Sequence, residues 1–267
     1  MAPDTLSSAG KVAIITGSGR ENGIGAAIAL ALARNGASVV INYVSESSAP
    51  RAVKVADKAK DLGAKAVVIQ ADASTQEGAT KLVQETLAGF QTDKIDILVN
   101  NAGHGAAQGK TFNGLTADEV QSAFVLNTLS TLYVIQAAAK YMRRGGRIVN
   151  IGSIVSRMRN LPGVSIYGAS KAAQEYLTGA IATELGPNTG ITVNTVAPGP
   201  IAETDAGSWF PNNDVKHVAF QRMEAETRLG KLAGNVDDVA DAVLLLVSDH
   251  ARWITGQYIA VSGGVTE

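Results

Sequence analysis

The stretch TGSGRENGIG, residues 16–25, decides how this chain of 267 residues folds. Its four glycines follow an apolar run, KVAIIT (11–16), and lead into an Ala/Leu-rich stretch at 23–35 that has helical periodicity. A strand that turns into a helix through glycines can bring its backbone, and the positive end of the helix dipole, close to a diphosphate. The stretch therefore predicts the first strand and helix of a doubly wound α/β fold.

The rest of the chain continues this alternation of strands and helices. Six further Val/Ile-rich runs predict strands buried on both faces, which is typical of a parallel sheet covered by helices: 38–43, 65–71, 96–102, 146–153, 191–198 and 257–263. The other predicted helices cover 47–62, 75–90, 116–143, 165–186 and 235–249, with caps at Ser74/Thr75 and at Thr116 with Glu119. No linker or repeat divides the chain, so we expect one Rossmann-type domain over 1–267.

Composition excludes several classes of function. The chain has no cysteine and a net charge of -1, which argues against disulfides, thiolate nucleophiles and nucleic-acid binding. His104, His217 and His250 lie far apart, so we expect no metal site. Residues 1–10 do not resemble a secretory signal, and no run approaches the ~20 apolar residues of a membrane span, so we expect a cytoplasmic protein without a membrane contact.

The end of the second predicted strand indicates the type of dinucleotide. NAD-binding Rossmann proteins usually place Asp or Glu there to hold the ribose 2′-hydroxyl, whereas this chain has Asn42, Tyr43 and Ser45. Arg20 in the glycine loop is suited to bind a 2′-phosphate, although a solvated loop residue is the simpler reading. The pattern favours NADPH/NADP⁺ over NAD(H).

Two short motifs follow the third and fourth predicted strands. Asp72 is either an acceptor for the adenine amino group or a turn residue before the next helix. Asn101, Ala102 and Gly103 belong to NNAG, whose small residues either let a cofactor pass close to the sheet edge or form a simple turn.

The residues that indicate catalysis lie in the second half of the chain. Tyr167 and Lys171 are four residues apart, so a helix places them on one face, where the ammonium is expected to lower the phenol pKa and make a workable general acid. Ser153, at the end of the fifth strand, either polarises the same carbonyl oxygen or merely ends the strand. Asn127 interrupts an apolar helix and either binds a backbone carbonyl or holds a water that relays protons through Lys171.

Taken together, these residues and motifs resemble those of the short-chain dehydrogenase/reductase family over about residues 11–264. The matching motifs are TG…GIG (16–25), Asp72, NNAG (100–103), Asn127, Ser153, YGASK (167–171), PGPI (198–201) and ITGQ…SGG (254–264). VVINY and YMRRGGRIVNIGS are similar to fungal polyhydroxynaphthalene- and versicolorin-type ketoreductases, and 3-oxoacyl reductases are also similar. The resemblance implies a seven-stranded parallel sheet, in the order 3-2-1-4-5-6-7, with helices on both faces.

The resemblance also implies roles for individual residues. Asn127, Ser153, Tyr167 and Lys171 would form the catalytic tetrad of an NADP(H)-dependent ketone reductase or alcohol dehydrogenase. Cofactor contacts would come from Gly17, Gly19, Arg20, Gly23, Ile24, Asn42, Tyr43, Ser45, Asp72, Ala73, Asn101, Ala102, Gly103, Tyr167, Lys171, Pro198, Gly199, Ile201 and Thr204. The family implies a homodimer or homotetramer, with the helices at 116–143 and 165–186 forming one interface.

Two departures from the family pattern bear on this assignment. Glu21-Asn22 is a two-residue insertion in the glycine loop, and the usual threonine after PG is displaced to Thr204. Because the glycine loop is altered, a biosynthetic isomerase or cyclase is one alternative function. A non-catalytic ligand-binding regulator is another.

The region 200–234, expected to form a substrate lid, and the loop after NNAG are where substrate identity is decided. The lid carries Trp209, Phe210, Phe220 and Met223, which either line an apolar pocket for a bulky or aromatic carbonyl substrate or pack a lid helix; the loop carries His104, Gly105 and Gln108.

Overall fold

A seven-stranded parallel sheet forms the centre of the protein. In this computed structural model the described residues are 6–105, 110–158, 161–201, 225–230 and 233–265. The strands follow the order β3-β2-β1-β4-β5-β6-β7, which confirms the order implied by the sequence motifs. Their bounds are β1 Val12–Ile15, β2 Ser38–Tyr43, β3 Ala66–Gln70, β4 Ile95–Asn100, β5 Met142–Ile151, β6 Thr192–Pro198 and β7 Tyr258–Val261.

Helices connect the strands at nearly the predicted positions. They are α1 Ile24–Arg34, α2 Ala49–Asp61, α3 Gln76–Phe90, α4 Ala117–Phe124, α5 Ser130–Ala139, α6 Ser165–Thr189 and α7 Val236–Val247. The stretch predicted as one helix over 116–143 contains a π-helical turn at Val125–Leu129 and ends earlier, because β5 already begins at Met142. The predicted caps form: Thr75 accepts from the Gly78 amide, and Thr116 and Glu119 make a capping box.

Successive residues of β1 pack into opposite layers of the core. Ala13 and Ile15 are fully buried against α1, α2 and α7, whereas Ile14 is buried in the layer that contains α3, α5 and part of α6. This alternation is the period of a β-strand, and both of its faces are covered, which explains why the strand reads as a continuous apolar run.

The helical stretch Ala117–Ala139 differs from the sequence-based expectation about membrane spans. With a mean hydropathy of 1.3 over its most apolar window, it is long and apolar enough to cross a membrane by length and composition. Here it is a layer of the α/β core, because Val134, Ile135 and Ala138 are buried beside the sheet. The buried hydroxyl of Thr128 donates to the main-chain oxygen of Ser170 at 2.8 Å, a tertiary contact within the protein.

The strand order places a crevice at the carboxyl ends of β1 and β4. The chain leaves β1 toward β2 and β3, and returns to add β4 to β7 on the other side. Loops that follow β1 and β4 therefore diverge, and ligands of open α/β sheets bind at such a switch point.

Candidate active site

The glycine loop that follows β1 is held by two hydroxyl groups that the sequence reading passed over. The Oγ1 atom of Thr16 accepts from the amides of Asn101 at 3.0 Å and Ala102 at 2.9 Å, which joins the ends of β1 and β4. The Oγ atom of Ser18 donates to the Ile15 oxygen at 2.8 Å and accepts from the Asn42 amide at 3.0 Å. These side chains close the base of the loop. Their only signal in the sequence is that small hydroxyl residues flank Gly17.

Asn42 supports the loop through its side chain. It is fully buried, and its Oδ1 atom accepts from the Gly17 amide at 3.0 Å while its Nδ2 atom donates to the Ala71 oxygen at 3.0 Å. The side-chain amide predicted to contact the cofactor is thus occupied in fixing the glycine loop to β2 and to the end of β3. Tyr43 and Ser45, the next predicted residues, line the open cleft.

Gly25 shows why the first turn of α1 requires glycine. A Cβ atom at this position would lie 2.5 Å from Nδ2 of Asn101 and 2.9 Å from the main-chain oxygen of Gly17. The same Nδ2 atom donates to the oxygens of Thr16 at 2.9 Å and Gly17 at 3.1 Å. The start of α1 therefore packs directly against the loop that follows β4, at the positive end of the helix dipole.

Asp72 forms the turn that the sequence analysis offered as one of two readings. Its Oδ1 atom accepts from the amide of Ser74 at 2.9 Å and from the Ser74 hydroxyl at 2.7 Å. The same residue also lines the cleft, so both readings are compatible with its position.

A cleft of about 580 Å³ runs along the carboxyl ends of these strands, a size usual for ligand sites. Its wall contains nearly all the predicted site residues: Gly17, Gly19, Arg20, Gly23, Ile24, Asn42, Tyr43, Ser45, Asp72, Ala73, Asn101, Ala102, Gly103, Ser153, Tyr167, Lys171, Pro198, Gly199 and Ile201. Thr204 lies outside the described residues. The structure thus brings the glycine loop and the predicted catalytic group into one continuous space.

Tyr167 and Ser153 both line this cleft, and the Ser153 hydroxyl is close enough to the phenol to affect its pKa. Ser153 is positioned by the short helical turn Ile154–Ser156, because its Oγ atom accepts from the Val155 amide at 3.2 Å. Burial raises the pKa of the Tyr167 phenol, and the nearby Ser153 hydroxyl lowers it in part. The phenol is therefore protonated at neutral pH and can serve as a proton donor.

Lys171 lies one helical turn from Tyr167 and points at the sheet. Its Nζ atom donates to the Ile151 main-chain oxygen at 2.7 Å, and the side chain is only 4% exposed. Desolvation lowers the pKa of Lys171 to about 8. The expectation that the ammonium lowers the pKa of Tyr167 is not met, because burial of the phenol dominates.

Asn127 adopts the first of its two predicted roles, binding backbone. It lies in the π-helical turn between α4 and α5, where its Oδ1 atom accepts from the His104 amide at 2.9 Å. Its Nδ2 atom donates to the His104 oxygen at 3.0 Å and to the Ser170 hydroxyl at 3.1 Å. The side chain thus fixes the segment after NNAG to α6, the helix that carries Tyr167 and Lys171.

Gly103 keeps Asn127 and Lys171 accessible to each other. A Cβ atom on this residue would lie 2.9 Å from Oδ1 of Asn127 and 3.2 Å from Nζ of Lys171. Any side chain at position 103 would therefore occupy the space in front of these two polar groups.

Apolar residues that the sequence analysis did not single out form the wall beside Ser153. Ile154, Val155, Leu161 and Val164 line the cleft there. Their sequence signal is weak, because they lie in a loop between β5 and α6 without regular periodicity. The residues that the sequence connects with substrate identity, Gln108, Trp209, Phe210, Phe220 and Met223, lie outside the described residues, as does His217.

His104 lies at the edge of the cleft, after NNAG. Burial of its ring, together with the positive charge of Arg20, lowers the pKa of His104. The imidazole is therefore neutral at physiological pH, and its position next to the glycine-loop cation is consistent with a wall that accepts anions.

Comparison with known proteins agrees with this geometry. Residues 17–266 match the family model described as enoyl-(acyl carrier protein) reductase. The chain is 37% identical over 262 residues to versicolorin reductase stcU of Emericella nidulans, covering 96% of this chain and 95% of that protein. It is 36% identical over 265 residues to the hydroxynaphthalene reductase-like protein Arp2 of Metarhizium anisopliae, covering 97% and 96%.

A solved structure extends the likeness to three dimensions. The short-chain dehydrogenase from Burkholderia cenocepacia, crystallised in complex with NADP, superposes with a TM-score of 0.84 at 36% identity, covering 96% of this chain and 98% of that one. A strand order, a glycine loop and a Ser-Tyr-Lys group in one cleft define an oxidoreductase of the Rossmann class. The chain belongs to the short-chain dehydrogenase/reductase family.

Proposed function

We propose that this protein is an NADP(H)-dependent oxidoreductase that interconverts a ketone and an alcohol. The observation that carries the proposal is that Ser153, Tyr167 and the buried Lys171 line the same cleft that begins at the glycine loop. A protonated phenol and a second hydroxyl in the same cleft can both contact a single carbonyl oxygen, which supports the proposal.

The residues of the cleft fit a dinucleotide. The backbone of the glycine loop, closed by Thr16 and Asn42, would hold the diphosphate at the N-terminus of α1. At the end of β2, Tyr43 and Ser45 stand where an NAD-binding protein usually has a carboxylate, and Arg20 lines the cleft nearby. The NADP complex of the Burkholderia relative supports the same choice of cofactor.

Each polar group of the site then has a distinct task. When bound, the nicotinamide supplies the hydride in reduction and accepts it in oxidation. Tyr167 donates its phenolic proton to the substrate oxygen as negative charge develops there, and Ser153 hydrogen-bonds the same oxygen. Lys171 binds the nicotinamide ribose and favours the phenolate that forms, while Asn127 holds the wall after NNAG in place.

The substrate is inferred to be a small to medium, aromatic or polyketide-type carbonyl compound. The cleft beside Ser153 is apolar where Ile154, Leu161 and Val164 line it. Apolar walls with few convergent polar groups suit flat or bulky substrates with a single polar oxygen. The names of the versicolorin and hydroxynaphthalene relatives support this class.

The test follows NADPH oxidation with a panel of quinones, aryl ketones and 3-oxoacyl substrates. We expect turnover that falls by about 10²–10⁴-fold in Tyr167→Phe, the range of general acid catalysis, with NADPH binding retained. Tyr176→Phe is the matched control, because this tyrosine lies on the same helix and is 79% exposed. NADPH binding without oxidation across the panel, or a product at the oxidation level of its substrate, would contradict the proposal.

A further inference from the structure

The two inserted residues of the glycine loop are bound by helix α2. The Nε atom of Arg51 donates to Oε2 of Glu21 at 2.6 Å, and its Nη2 atom donates to Oδ1 of Asn22 at 2.7 Å. Nζ of Lys54 lies 3.7 Å from the other carboxylate oxygen of Glu21. We call these four residues the loop clip. One guanidinium thus binds both inserted side chains through its two adjacent donors.

The loop clip lies at the end of the cleft where β2 leads into α2. Asn22 lines the cleft, as do Ser45 and Ser48, which immediately precede α2. Arg51 is in the first turn of that helix. In this loop the Gly19 amide donates to the Asn42 oxygen at 3.1 Å, which ties the loop to the same end of β2. The clip is therefore beside the part of the cleft assigned to the adenosine ribose.

The insertion introduces a negative charge next to a site for anions. The hydrogen bond from Arg51 lowers the pKa of Glu21, so this carboxylate is ionised at neutral pH. A carboxylate near the 2′ position is the feature that disfavours a 2′-phosphate in NAD-binding relatives of this fold. Arg51 and Lys54 oppose it, and the three charged side chains together carry a net charge of +1.

We propose that Arg51 is a specificity-determining residue for the cofactor: it neutralises the inserted Glu21 and so makes the extended glycine loop compatible with a 2′-phosphate. This inference rests on the proposed function, because it concerns the affinity of that site for NADPH. It predicts that affinity follows the summed charge of Glu21, Arg51 and Lys54.

The experiment measures the Kd values of NADPH and NADH by the change in nicotinamide fluorescence, at low and high salt. Arg51→Met lowers the sum from +1 to 0 and is expected to raise the NADPH Kd about two- to fivefold at low salt, with a smaller change for NADH. Glu21→Gln raises the sum and is expected to bind NADPH at least as tightly as the parent. The double variant returns the sum to +1 and is expected to recover the parent affinity.

Lys60→Met is the matched control. It also removes a cation from α2, but Lys60 pairs with Asp57 at 3.0 Å in the second half of the helix, so both Kd values should stay unchanged. The proposal is overturned if Arg51→Met leaves the NADPH Kd unchanged. It is also overturned if Arg51→Met weakens the binding of NADPH and NADH equally, while Glu21→Gln weakens NADPH binding and does not restore it in the double variant. The loop clip would then act only as a structural tether. Failure of the parent protein to bind NADPH would instead contradict the proposed function.

Discussion

The Nζ atom of Lys171 donates to the main-chain oxygen of Ile151 at 2.7 Å, so the cation of the site is fixed to the last residue of β5. Ser153 follows two residues later, and Tyr167 lies one turn before Lys171 on α6. This hydrogen bond therefore links the end of the strand that leads to Ser153 with the helix that carries the phenol. Burial of an ammonium group in this position has a measurable consequence for stability.

Stability should rise with pH because of Lys171. The pKa of this residue is lowered from its ordinary value of 10.5 to about 8 in the folded protein, so between these values the unfolded chain binds more protons than the folded one. The free energy of unfolding should rise by at most about 1.4 kcal/mol per pH unit from this group, and below pH 8 its full cost remains. Urea unfolding of the parent and of Lys171→Met measures the difference between their free energies of unfolding. The measurements are made at pH values of about 7.5, 8.5 and 9.5, which follow the titration of the folded protein.

The difference in unfolding free energy between the two proteins should shift in favour of the parent as pH rises. Parallel profiles would show that the ammonium is not desolvated as the structure indicates. As long as the pKa of Tyr167 stays raised in both proteins, its phenol remains protonated over most of this interval. The contribution of Tyr167 then cancels when the two proteins are compared.

Asn127 should contribute to stability through backbone contacts rather than through the ring of His104. In Asn127→Leu the amide and oxygen of His104 and the hydroxyl of Ser170 lose the hydrogen bonds that Asn127 makes to them, so we expect the free energy of unfolding to fall by roughly 2–4 kcal/mol. His104→Ala is the control, because it keeps both main-chain groups that Asn127 binds. Chemical denaturation of the two variants checks this, and equal losses would assign the effect to the histidine side chain instead.

The fold was predictable from the sequence because it depends on regular patterns. Strands buried on both faces read as apolar runs, and their alternation with helices predicted a parallel sheet. The order of its strands, which the structure confirms, came from the family resemblance and not from the alternation. The positions of Tyr167, Lys171 and Ser153 also followed from spacing, since a helix and a strand end fix where such side chains point.

The sequence did not predict the hydrogen-bond partner of each polar side chain. Asn42 reads equally well as a cofactor contact, yet its amide is used to bind Gly17 and Ala71. Thr16 and Ser18 support the loop through bonds to residues far along the chain, which no local pattern reveals. The pKa of Tyr167 likewise depends on burial, a tertiary property, so its net shift is upward, whereas the sequence predicted a downward shift.

Arg20 should distinguish the two cofactors. If its guanidinium binds the 2′-phosphate, Arg20→Ala should raise the Kd of NADPH by about tenfold or more, the size of one charge-assisted contact, and change that of NADH much less. Arg34→Ala, in the last turn of α1, removes an arginine at the end of that helix that lies away from the glycine loop, and serves as the control. Fluorescence titration with both cofactors measures this. Equal losses for NADPH and NADH would place the guanidinium on the diphosphate instead.

Gly25→Ala should separate cofactor binding from overall folding. The added methyl group would lie 2.5 Å from Nδ2 of Asn101, so either the start of α1 or the loop after β4 must move. Because both elements form the diphosphate side of the cleft, we expect the Kd of NADPH and NADH to rise together by at least about tenfold, as befits loss of backbone contacts shared by both cofactors.

The matched control for Gly25 is Gly179→Ala in α6. A Cβ atom at position 179 meets nothing within 4 Å among the described residues, and alanine is the better helix former. This variant should therefore gain about 0.5–1 kcal/mol of stability and bind both cofactors normally. Thermal unfolding and the same fluorescence titration compare the two variants. If Gly25→Ala bound NADPH as tightly as the parent, α1 would not approach the loop after β4 as closely as described, and the anion site proposed at its N-terminus would lose its structural basis.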